Sequence, residues 1–286
     1  MSGVERLMER RNGRGRAWAR LTAFIVTLLF LTGLAGCATV PMTGRSGLSL
    51  VSDGEMVSLG AQQYGEVLKK AKLSTNAAEV KMVRTVGARI AKASEEFLRD
   101  SGRGADIAAY RWEFNLIEDD KTVNAWCMPG GKVAVYTGLL PVAKDETGLA
   151  VVMGHEVAHA IARHGNERMS QSLLAQLGGI GLSLALSQKP QATQEIFMAA
   201  YGVTANVGFM LPYSRLHESE ADRIGLSLMA RAGYDPREAV ALWERMNKLG
   251  GGRPAELLST HPAPDSRIAN IRAYLPEALG YYKGGK

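Results

Sequence analysis

Glu146 to His164 reads ETGLAVVMGHEVAHAIARH, and how this stretch folds decides the rest. Outside its ionisable positions it is almost wholly Ala, Val, Leu, Ile, Met and Gly. A helix apolar on most faces is one buried inside a protein rather than laid on its surface. In its middle stand His155, Glu156 and His159. Residues four apart in a helix are turned by about 400°, so the two imidazoles share one face, one turn apart. So placed, both nitrogens reach a single zinc ion at about 2.0–2.1 Å. Glu156, next to the first histidine, can take a proton from an attacking water without ligating the ion. The plain alternative is a helix that carries these residues by chance. Three ionisable groups in so apolar a setting are costly unless paired or metal-bound, which favours one zinc ion per chain.

Zinc needs a third protein ligand, and downstream stand His164, His217, Glu218, Glu220 and His261. The helix is expected over 146–164, and His164 lies about 900° past His155, on the opposite face. With Arg163 it is expected at the helix end, where cationic side chains meet the exposed carbonyls. Leu216 to Gly225, LHESEADRIG, sets Glu218 and Asp222 four apart on one helical face. One can ligate while the other accepts the N–H of a ligating imidazole. Glu220 points about 200° away, and the whole run also reads as a solvated acidic first turn favoured by the helix dipole. On spacing alone Glu218 and Glu220 both stay open.

Around this centre the chain reads as mainly α with a small β-sheet, an α+β fold. Helices are expected over 52–72, 76–101, 214–232 and 236–249. The last of these opens with Asp235-Pro236, an N-cap followed by proline at the first helical position. A final helix is expected near Pro264-Asp265. From Tyr110 to Glu118 the period shortens: Trp112, Phe114 and Leu116 alternate with Arg111, Glu113, Asn115 and Ile117, a half-buried strand. Pro129-Gly130-Gly131 turns into a second strand, Lys132 to Tyr136. Residues 171–187 and 193–211, rich in Gly and Ala, read as a helical hairpin over the site in preference to a pair dipping into a membrane. Cys127, between Trp126 and Met128, reads as a packed thiol rather than a nucleophile.

The first residues do not look like the rest. Six arginines against Glu5 and Glu9 give residues 1–20 a net +4, and residues 21–36 carry no charge. A basic segment followed by an apolar one is the order of a secretory signal. It ends in Leu34-Ala35-Gly36-Cys37, which resembles the bacterial lipobox, where the cysteine becomes the first residue of the mature chain and carries lipid. On that reading 1–36 is a signal peptide, 37–50 a tether and 51–286 one domain. The signal holds most of the chain's net +6, so charge gives no case for nucleic acid. With Cys37 acylated, Cys127 has no cysteine to pair with.

Four motifs then stand in order. Asn124-Ala125-Trp126-Cys127-Met128-Pro129-Gly130-Gly131 with Tyr136-Thr137-Gly138-Leu139-Leu140 comes first. His155-Glu156-x-x-His159, ending in Arg163-His164-Gly165, is followed by Glu218-x-x-Ala221-Asp222 and by Thr260-His261-Pro262 with Arg267-Ile268. The set resembles the gluzincin peptidases of the HtpX and CAAX-prenyl-protease type, and within them the periplasmic lipoprotein branch of LoiP and BepA. The resemblance implies a gluzincin-type zinc endopeptidase with Glu218 as third ligand and Asp222 behind it. It implies that Asn124 and Ala125 lie on an edge strand against which an extended peptide pairs. It also implies that His261 approaches the metal, aiding the reaction or blocking the resting zinc. Read without it, His261 is a capping residue of the last helix. The implied substrates are unfolded or misfolded envelope polypeptides. The implied address is the periplasmic face of the outer membrane, reached through lipidated Cys37.

Overall fold

A computed structural model of the chain describes residues 37–177, 214–249, 256–261 and 266–284. The chain divides into two units, Met1–Ala38 and Thr39–Lys286, and the described helices and three-stranded sheet belong to the second. The signal segment and all of the expected 171–187 and 193–211 hairpin beyond Leu177 lie outside the described residues. Among the described residues no helix is long and apolar enough to cross a membrane.

Local chemistry starts most helices where the sequence places them. Helix α1 (Asp53–Lys70) opens on a capping box: Ser52 Oγ accepts from Glu55 N–H, and the Glu55 carboxylate accepts from Ser52 N–H. Helix α2 (Ala77–Asp100) is capped by Asn76. Strands β1 (Glu113–Ile117), β2 (Ala125–Met128) and β3 (Lys132–Tyr136) form one sheet in the order β1-β3-β2. β1 runs parallel to β3 and β2 antiparallel to it. Residues 72–74 cover the outer side of β1, where Glu118 N–H reaches Lys72 O and Ser74 N–H reaches Leu116 O. That leaves β2 as the edge strand. Both its faces are buried, Ala125 and Cys127 in the main core and Trp126 and Met128 in a second cluster with Tyr64 and Met169. Apolar residues therefore occupy every position of β2 and erase the two-residue alternation.

Helix α3 (Glu146–Ile161), capped by Asp145, runs through the middle of the core. It ends three residues earlier than its composition suggests. Arg163 has φ 61°, the left-handed conformation that closes a helix, and a separate helix α4 (His164–Leu177) begins after it. Helix α5 (Arg215–Arg231), capped by Ser214, packs along α3. Two glycines make that contact close: a Cβ on Gly225 would lie 2.9 Å from His155 N, and one on Gly154 would lie 2.9 Å from Gly225 O. Helices α6 (Glu238–Leu249), α7 (Glu256–Thr260) and α8 (Arg267–Leu279) complete the wall around α3 and α5.

The stretch expected as a tether is a docked arm from Val40 onward. Val40 is buried, the Ser170 hydroxyl accepts from Leu50 N–H, and Asn166 donates to Ser49 Oγ and Val51 O. Its Gly, Ser and Thr content suits tight turns against a surface as well as it suits a free linker.

Candidate metal centre

The α3–α5 contact brings the charged residues of two otherwise apolar helices face to face. His155, His159, Glu218 and His261 are all buried, and one donor atom from each lies within 4.8 Å of the others. His155 Nε2 and His159 Nε2 are 3.1 Å apart, each 3.4 Å from a Glu218 oxygen. His261 Nδ1 stands 2.9 Å from Glu218 Oε1 and 3.3 Å from His155 Nε2. Glu218 Oε2 is buried without a hydrogen-bond donor aligned on it. Three buried imidazoles crowded on one carboxylate, with two of their Nε2 atoms 3.1 Å apart, are a costly arrangement for a protein alone. It is the donor set that zinc takes, so these residues fit that ion.

Glu156 is buried beside this cluster, its Oε1 without a hydrogen-bond donor and 3.5 Å from His261 Nε2. Burial holds its pKa above the ordinary carboxylate range. Burial works against charge on His155, but hydrogen bonds to Asp222 and Glu218 outweigh it and raise its pKa to about 9. Burial keeps His159 well below the usual histidine value. Glu218 is held well below its own usual value, because the surrounding imidazoles outweigh its desolvation. Asp222 Oδ1 sits 3.0 Å from His155 Nδ1, behind the imidazole and away from the cluster, the position that the resemblance implies.

Two expectations need correction, and one alternative falls away. His164 is not at a solvated helix end. It is fully buried, with Nδ1 2.9 Å from His159 Nδ1 and Nε2 3.0 Å from Glu220. Burial lowers its pKa to about 4. Helical phase carried past Ile161 points it the wrong way, because Arg163 breaks the helix. Glu220 is not a solvated first-turn acid. It is buried against His164 and the arm residue Arg45, and these contacts outweigh desolvation to hold its pKa at about 2. His261, a cap of the last helix when read without the resemblance, does not cap it: α8 has Ser266 at its N-cap, and the imidazole is in the cluster.

One participant has no role in the sequence reading. Arg267 is buried at the first position of α8, gripping Asp222 through Nε and Nη2 at 2.9 and 2.7 Å. Its Nη1 lies 3.0 Å from Glu218 Oε2, close but not aligned as a hydrogen bond, and its guanidinium covers the Trp243 ring at 3.4 Å. An arginine opening a helix, against the dipole, is the available signal. Asn124 and Ala125 are buried at the start of the edge strand, where Asn124 Oδ1 accepts from Ala125 N–H. Asn124 O accepts from Tyr136 N–H. By the alternation of an antiparallel ladder, the main-chain groups of Ala125 and Cys127 then point away from β3. Cys127 itself is a buried free thiol, its pKa raised by burial.

The chain is 41% identical over 170 residues to the mitochondrial metalloendopeptidase OMA1 of Schizosaccharomyces pombe, a match covering 59% of this chain and 48% of that protein. To the mitochondrial metalloendopeptidase OMA1 of Danio rerio it is 30% identical over 265 residues, 90% of this chain and 53% of the other. To the beta-barrel assembly-enhancing protease of Escherichia coli it is 28% identical over 240 residues, 82% and 46% respectively. The chain thus spans about half the length of these relatives. Residues 87–275 match the model of Peptidase family M48. That stretch contains the cluster, Glu156 and Arg267, and by it the chain belongs to peptidase family M48, a family of zinc metallopeptidases.

Proposed function

We propose that His155, His159 and Glu218 hold the zinc, that Glu156 is the general base, and that the enzyme cleaves unfolded or damaged envelope polypeptides. It does so at the periplasmic face of an outer membrane, to which a lipid on Cys37 fastens it. The observation that carries the chemistry is the buried four-residue donor cluster with an unpartnered glutamate oxygen beside it. Zinc in such a site polarises a scissile carbonyl and makes water a better nucleophile. Asp222 accepts the Nδ1–H of His155, leaving its Nε2 lone pair for the ion. Glu156 Oε1, desolvated and with a raised pKa, takes the proton of the attacking water and delivers it to the leaving amine. His261, within reach of Glu156 and Glu218, is suited to donate to the oxyanion as it forms.

The substrate class rests on the edge strand. The outward main-chain groups of Cys127 and the Ala125 carbonyl can pair with an extended peptide by backbone hydrogen bonds, once Asn124 Oδ1 yields the Ala125 N–H it now holds. Such pairing selects unfolded chain rather than a side-chain motif. The address rests on the basic and apolar leader ending in Leu34-Ala35-Gly36-Cys37. Zinc-loaded protein offered unfolded casein and peptidoglycan fragments side by side should cut the casein. Sparing the casein and instead releasing stem peptides from the peptidoglycan fragments would make it a cell-wall amidase. Labelled palmitate should mark the wild type and not Cys37→Ala, and the wild type should fractionate with the outer membrane. Recovery in the inner membrane alone would refute the address.

A further inference from the structure

Behind the metal cluster lies a second set of charged side chains that the reaction above does not use. It begins at His159, whose Nδ1 faces His164 Nδ1 at 2.9 Å. His164 Nε2 faces Glu220 Oε2 at 3.0 Å. Glu220 in turn accepts from three donors on the N-terminal arm: Arg45 Nε and Nη2, at 3.0 and 2.9 Å, and the Thr43 hydroxyl at 2.7 Å. The same guanidinium reaches both Glu167 oxygens, and Glu167 also meets His217, whose ring stacks on His164. His164 is fully buried and Glu220 is 3% exposed. The arm lies against this set because residue 47 lacks a side chain: a Cβ on Gly47 would stand 2.7 Å from Glu167 Oε2.

The chain of contacts has a direction. A carboxylate can only accept, so His164 must carry its proton on Nε2 and donate it to Glu220. His164 Nδ1 is then a lone pair and accepts from His159 Nδ1–H. That leaves the lone pair of His159 on Nε2, the atom 3.1 Å from His155 Nε2 and 3.4 Å from Glu218 Oε1. An imidazole that binds a metal through Nε2 needs its proton on Nδ1. His155 gets this arrangement directly from Asp222, and His159 gets it at one remove.

We propose that Glu220 and Arg45 are positioning residues of the metal centre, setting the tautomer and orientation of His159 through His164, so that the N-terminal arm is part of the zinc site. Arg45 supplies the positive charge that lets Glu220 stay ionised while buried. The Thr43 hydroxyl donates to Oε1 of the same carboxylate. This inference rests on the assignment of His159 as a ligand, and its test separates the two.

Zinc affinity of the full chain is measured by competition with a chromophoric chelator, alongside thermal unfolding of the zinc-stripped protein. Glu220→Gln is the sharpest variant, because an amide must turn its NH2 toward either Arg45 or His164. Facing His164, it reverses the relay and puts the proton of His159 on Nε2. Both Glu220→Gln and Arg45→Gln should weaken zinc on the order of 10–100-fold, the usual effect of removing a partner behind a metal ligand. Arg45→Lys, which keeps the charge, should recover part of the loss, and Lys72→Gln, at an exposed ion pair, should change nothing. A purely structural role for the arm would lower the melting temperature of the stripped protein and leave zinc affinity at the wild-type value. That result for Arg45→Gln, at a partly exposed side chain, overturns the proposal even if Glu220→Gln fails to fold. Should His159→Ala itself bind zinc like the wild type, the ligand assignment falls first.

Discussion

Arg267 is the cation on which two buried carboxylates depend. It binds Asp222 through two hydrogen bonds, sits 3.0 Å from Glu218 Oε2, and is itself only 2% exposed. Arg267→Met keeps most of the side-chain volume and its contact with Trp243, and deletes the charge. Removing one partner of a buried pair costs about 3–5 kcal/mol, because the other charge stays buried without compensation. For a domain of this size each kcal/mol lowers the melting temperature by roughly 2–4 °C, so a fall of roughly 6–20 °C is expected. Glu218 has a second source of compensation when zinc is bound, and Asp222 does not. The loss should therefore be larger in the zinc-stripped protein than in the loaded one. Denaturant unfolding of wild type and variant, each with zinc and with chelator, measures all four values. A cost below about 1 kcal/mol in the stripped protein, the range of an exposed ion pair, would refute the reasoning. So would a cost that grows on zinc binding.

Other consequences are as direct. Gly225→Ala puts a Cβ 2.9 Å from His155 N, and backbone cannot give way as a side chain can. It should cost about 1–3 kcal/mol and weaken zinc, whereas Gly65→Ala, with nothing within 4 Å, should gain about 0.5–1 kcal/mol. Chemical denaturation of the pair checks this, and equal costs would contradict it. Glu220, with its pKa depressed to about 2, adds stability that is full above pH 4.5 and is lost as pH falls from there toward 2. At 1.36 kcal/mol per pKa unit this amounts to on the order of 3 kcal/mol. The zinc-free Glu220→Gln protein should show a shallower decline in that window, and a parallel curve would count against the ion pair. His261→Ala should lower kcat on the order of 10²–10³, the cost of one oxyanion donor, in folded, zinc-loaded enzyme. Unchanged turnover would leave His261 a structural residue.

Much of this centre is legible in the sequence because helical geometry is rigid over short distances. Four-residue spacing pairs His155 with His159, as the geometry has them, and puts Glu218 and Asp222 on one face; which of the two acids stands behind His155 comes from the resemblance alone. The apolar setting correctly signals burial of α3. Extrapolation is where sequence reasoning fails. Helical phase carried across Arg163 misplaces His164, and a single left-handed residue is enough to cancel that phase. Glu220 does point away from Glu218, but the arm from Val40 covers that side, so an acid that local sequence reads as solvated is buried in an ion pair. No periodicity could announce the docking of the arm, because it is held by individual polar contacts to Glu167, Asn166, Ser170 and Glu220. Strand β2 is invisible to alternation because both its faces are covered, and only the resemblance suggests it. The closeness of α3 and α5 is written in Gly154 and Gly225, two glycines on different helices whose pairing only the fold reveals.

The central claim is that Glu156 moves the proton and does not hold the ion. The most direct test is Glu156→Gln, with zinc per chain and casein cleavage measured on the same sample. The carboxamide keeps the shape of the side chain and cannot accept the proton. The account predicts one zinc per chain, as in the wild type, and no cleavage. Cleavage at the wild-type rate, or loss of the zinc together with the activity, would contradict it.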